Sequence, residues 1–104
     1  MNQNPTITLM YQIRDAIKDS VPENMRYFVT DEWMTDNVDT YNSNEAPLAV
    51  DNFISNLDDS EAAVPKHLLE QFLTAVQPLA GAYGMPKDKF EEMCERLRNN
   101  AKPE

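Results

Sequence analysis

Apolar residues in this chain recur at helical spacing, and no stretch alternates apolar and polar with the period of two that marks a half-buried strand. Leu9, Ile13, Ala16 and Ile17, with Met10 beside them, make one stripe. Val50, Phe53, Ile54 and Leu57 make a second, and Phe90, Met93, Cys94 and Leu97 another. The strongest is Leu68, Leu69, Phe72, Leu73 and Val76. A chain of 104 residues holds one core and not two. The expected fold is therefore all-α: a compact bundle of five or six short helices in a single domain over 1–104, with ends 1–3 and 99–104 frayed.

Local signals divide the stripes into helices. Asn4-Pro5 reads as an N-cap followed by proline at the first helical position, where its missing N–H is no loss. Ser20-Val21-Pro22-Glu23 has the pattern of a capping box opening a short helix with Met25, Tyr27 and Phe28. Thr30-Asp31-Glu32 reads as another start, since acids in the first turn suit the positive end of the helix dipole. In that helix Met34, Val38 and Tyr41 are expected inward and Glu32, Asp36 and Asp39 outward. Residues 41–47 have loop chemistry, and Asp58-Asp59-Ser60 closes the following helix. Pro65 opens the strongest helix and Pro78 ends or kinks it. A short continuation over 79–83 with Gly84 as a left-handed C-cap would precede a last helix begun at Pro86.

Charge is segregated along the chain. Between Tyr27 and Pro65 lie Asp31, Glu32, Asp36, Asp39, Glu45, Asp51, Asp58, Asp59 and Glu61, with no Lys, Arg or His. The flanks are neutral, so the window carries the whole formal charge of −9. Such a field attracts cationic surfaces and repels nucleic acid. One reading is a solvated surface, as any amphipathic helix would present. The other is electrostatic docking onto a protein partner with a basic surface, by the helical array Glu32/Asp36/Asp39 with Asp31, and by Asp58, Asp59 and Glu61. Trp33 is expected to pack in the core, the alternative being an exposed anchor at an interface.

Residues 79–93 resemble the helix-turn-helix unit of repressor-type DNA-binding domains: Ala80 is small, Gly84 makes the turn, and Leu79, Tyr83, Met85, Phe90 and Met93 are apolar where that unit needs inward side chains. A generic helical hairpin would use the same glycine turn. The resemblance implies a regulator reading DNA through 79–98, with Lys87 and Lys89 on phosphates. Against that, the outward positions would be Lys87, Asp88, Glu91, Glu92 and Glu95, and phosphate attraction dominates affinity for DNA. Direct nucleic-acid binding is therefore not expected.

Chemistry of its own is not expected either. His67 and Cys94 are the only imidazole and thiol, and the acidic stretch lacks the glycine and alternation of a calcium loop, so no metal or cofactor is implied. Cys94 lies on an apolar stripe and reads as a buried, inert thiol, while His67 reads as a surface residue. Gly81 and Gly84 are the only glycines, so no phosphate-cradling loop or nucleophile elbow exists. Residues 1–8 have neither positive charge nor an apolar run, no segment is long enough to span a membrane, and the single cysteine gives no sign of an oxidising compartment; the expected location is the cytoplasm. Together these features predict a small acidic protein-binding regulator or inhibitor of nucleic-acid-handling or defence machinery, in general character like the acidic nucleic-acid mimics of mobile elements. Two alternatives stand beside it, a helix-turn-helix regulator, in one form a dimer, and a structural or assembly subunit.

Overall fold

The structure, a computed structural model, describes residues 4–80 and 86–103. Among these, five α-helices follow one another: α1 (Pro5–Ile17), α2 (Asp31–Asn42), α3 (Ala46–Asp59), α4 (Lys66–Val76) and α5 (Lys87–Asn100). Two 3-10 stretches, Glu23–Val29 and Gln77–Leu79, link α1 to α2 and extend α4. The expected all-α bundle is what the chain forms.

Two of the expected caps are present. Asn4 Oδ1 accepts from the backbone N–H groups of Thr6 (2.8 Å) and Ile7 (3.3 Å), and Thr30 Oγ1 accepts from Trp33 N–H (3.2 Å). The capping box at Ser20 does not form. Its hydroxyl donates back to the Ile17 carbonyl at the end of α1, and Pro22 stands at the start of the 3-10 stretch with no side-chain cap. The orphan carbonyls behind Ser20 take the group that the local pattern assigns to the turn ahead.

Helix α3 ends in a Schellman motif. Ala62 N–H donates to Leu57 O (3.2 Å), Glu61 N–H to Asp58 O (3.0 Å), and Glu61 takes the left-handed conformation with φ 54°. Pro78 ends regular α-helix at Val76, as its missing N–H requires. The expected glycine C-cap and helix-turn-helix turn fall at residues 81–85, outside the described residues. At the other end the expectation of a loose tail from Asn99 gives way to order. Helix α5 runs through Asn100, and Lys102 then pairs with the chain ahead of α4: its N–H donates to Val64 O (2.9 Å) and its carbonyl accepts from Lys66 N–H (3.1 Å).

One hydrophobic cluster joins all five helices. Helix α1 packs on α4, α2 on α3 as an antiparallel hairpin, and α5 on α3 and α4. At the centre Phe53 meets Phe28, Phe72 and Trp33 with ring centroids 5.6 to 6.5 Å apart, the first two edge to face. Among the described elements α2 packs mainly on α3 and the first 3-10 stretch, which leaves Glu32, Asp36 and Asp39 exposed.

Candidate functional site

The nine carboxylates of the window reach different environments. Asp31 lies in the first turn of α2 and receives a hydrogen bond from Arg14 Nη1 at 2.8 Å. Arg14 comes from α1, lies with its side chain only 12% exposed, donates also to Asp15 and to Val29 O, and has its guanidinium 5.4 Å from the Tyr11 ring. Burial works against its charge, but the hydrogen bonds it donates to Asp31 and Asp15 outweigh it and hold the pKa above the ordinary arginine value. Asp58 is gripped through both oxygens by Arg96 of α5, at 2.9 and 2.8 Å, and its side chain is only 11% exposed.

The cations missing from the window in sequence therefore arrive from its flanks. They neutralise two of the seven candidate carboxylates, Asp31 and Asp58. Asp59 and Glu61 stay exposed and line, with Arg96, Asn99 and Asn100, a polar depression of about 490 Å³. Glu45 stands exposed ahead of α3, without making a cap bond. Asp51 is half-buried on α3, and desolvation raises its carboxyl pKa.

Glu32, Asp36 and Asp39 are exposed on the outward face of α2, and among the described residues no cation pairs with any of them. Helical geometry sets neighbours in this array about 5–6 Å apart. Two shallow concavities flank it. Asp31, Glu32, Thr35 and Asp36 line one of about 340 Å³, and Trp33, Asp36, Asn37, Thr40 and Asn52 line a notch of about 200 Å³. Asp36 belongs to both.

Trp33 is half-buried, with its ring against Phe28 and Phe53, and it is one of the residues that line the notch. Asn37 is the residue that sequence reasoning missed. Met34 is fully buried as expected, but Val38 and Tyr41 are only half-buried, while Asn37 is 5% exposed and donates from Nδ2 to Ala49 O of α3 at 3.0 Å. Its position three residues after Met34 was the available signal.

Lys87 and Lys89 are exposed at the start of α5, among Asp88, Glu91, Glu92 and Glu95, which are exposed too. A 410 Å³ groove lies between α1 and the end of α2, lined in part by Ile7, Tyr11 and Val38. Cys94 is buried and its thiol is pushed up to about 11, chiefly by desolvation, which leaves almost no thiolate at neutral pH. Among the described residues, no group of three or more His, Cys, Asp or Glu side chains is placed to hold a metal ion, and no helix is long and apolar enough to cross a membrane. Comparison with protein-family models, with curated proteins and with solved structures finds no match to this chain.

Proposed function

We propose that this chain acts by binding, and that the outward face of α2 docks on a cationic protein surface. The observation that carries the reading is the contrast within the acidic window. Asp31 and Asp58 are held by arginines, whereas Glu32, Asp36 and Asp39 stand together, exposed and without a cation among the described residues. Three like charges on one helix face repel one another, so they weaken the free protein slightly and favour any state in which cations approach. A partner with a basic groove, such as one that handles nucleic acid, matches that field, and the chain would act there as an inhibitor or regulator. Mutual attraction of this kind accelerates encounter and weakens steeply with salt.

The helix-turn-helix alternative has less support. The exposed face of α5 sets Asp88, Glu91, Glu92 and Glu95 around Lys87 and Lys89, and a phosphate backbone would meet more repulsion than attraction there.

Co-purification with host proteins at low and high salt tests the proposal. Asp36→Lys combined with Asp39→Lys is expected to weaken capture of the salt-sensitive partner on the order of 100-fold, since it inverts two charges at the centre of the contact. If the double variant captures every partner as the parent does, α2 is not the docking face.

A further inference from the structure

The notch beside Asp36 has a chemistry more specific than a negative field. Ala49 O can only accept, so the end of the Asn37 amide that meets it is the Nδ2 donor. The other end, Oδ1, is an acceptor, and no described group donates to it. No fully enclosed side-chain nitrogen or oxygen in the described structure lacks a partner. This oxygen of a residue 95% buried by area is therefore in touch with solvent, and the concavity that Asn37 lines is the notch.

Other acceptors surround it. Thr40 Oγ1 donates its proton to the Asp36 carbonyl (3.1 Å), which leaves it only lone pairs to offer a ligand, and the exposed Asp36 lines the same notch. Asn52 closes one side and the half-buried Trp33 indole another. No cation from the described residues occupies or neutralises this ring.

A notch that sets the Asp36 carboxylate and two neutral acceptors beside an aromatic wall selects a cation that carries several N–H donors and a flat face. Resting on the docking of α2 described above, we infer that the notch receives the guanidinium of one arginine side chain of the protein partner. Its planar fork can serve the Asp36 carboxylate and Asn37 Oδ1 together while the plane lies against Trp33. An ammonium would meet the same charge, but as a compact, strongly hydrated point it has no face to stack. A volume of about 200 Å³ admits a guanidinium and its stem, and the Asp36 charge disfavours phosphate.

Trp33 is the chain's one tryptophan, so intrinsic emission of the intact protein reports on the notch directly. The test titrates a capped glycine pentapeptide with arginine at its centre, beside matched peptides carrying lysine or citrulline there. Trp33 emission and the Asn37 side-chain amide resonances are followed together. The arginine peptide is expected to give a saturable change in both signals, with a midpoint about ten-fold below that of lysine, and citrulline to give none. Asp36→Asn is expected to weaken it about ten-fold, while Asp39→Asn, outside the notch, shifts it less than about two-fold.

Equal midpoints for arginine and lysine, equal damage from Asp36→Asn and Asp39→Asn, or unmoved Trp33 and Asn37 signals would each overturn the inference. Equal arginine and lysine binding that falls with salt and with either variant would leave docking of α2 standing. Conversely, arginine binding in the notch of a protein whose captured partners ignore Asp36→Lys and Asp39→Lys would leave the notch's preference for a guanidinium standing and overturn its use by a docking partner.

Discussion

At the residue scale, two side chains sit where their chemistry works against the fold. Asp51 is partly desolvated on α3, so its folded-state pKa lies above the unfolded value. Stability linked to a group shifted in that direction is fully present below the unfolded carboxylate pKa and is lost as pH rises through the folded one. Asp51→Asn removes the loss. Its Tm is expected to exceed the parent's at pH 7, with the gap closing below about pH 4, where the parent carboxyl is protonated in both states. An equal or lower Tm at pH 7 would count against that assignment. Glu61 holds φ 54° at a position where glycine has no steric penalty. Glu61→Gly is expected to raise stability by about 0.5–1 kcal/mol in urea unfolding, part of the relief being offset by the freer unfolded chain. Neither effect was legible in the sequence. Burial of Asp51 depends on how α3 is covered, and nothing in the residue type of Glu61 announces a left-handed backbone.

Among the elements, legibility followed the range of the interaction. Caps at Asn4 and Thr30 act over two or three residues, and both were readable from spacing alone. Ser20 was ambiguous because a hydroxyl between two turns can serve the helix behind or the one ahead, and Ile17 O took it. Asn37 was hidden because its partner, Ala49 O, belongs to the next helix. The strap that ties Lys102 to Val64 and Lys66 was hidden for the same reason. Ending the chain after Asn100 removes those two backbone hydrogen bonds and the half-buried Ala101. It is expected to lower stability by about 1–3 kcal/mol, measured by chemical denaturation, while leaving the helices assigned by circular dichroism in place. An unchanged denaturation midpoint would show that the strap contributes nothing.

For the whole molecule, the aromatic cluster around Phe53 is where the helices converge. Phe53→Ala is expected to lower the unfolding free energy by about 3–5 kcal/mol, because the void cannot close without moving Phe28, Phe72 and Trp33. Emission from Trp33 in the folded variant should shift to the red as its packed face is uncovered; an unaltered spectrum and midpoint would place the centre of the core elsewhere. The apolar periodicity and the run of acids with no intervening cation already determined, from the chain alone, that this protein is a helical bundle with one strongly negative segment, because both properties are carried by neighbours along the chain. Which acids keep their charge uncompensated was decided only by tertiary structure. Arg14 reaches Asp31 from 17 residues away and Arg96 reaches Asp58 from 38, while Glu32, Asp36 and Asp39 stay exposed and pair with neither. Coulomb interaction falls with distance in space and is blind to distance in sequence.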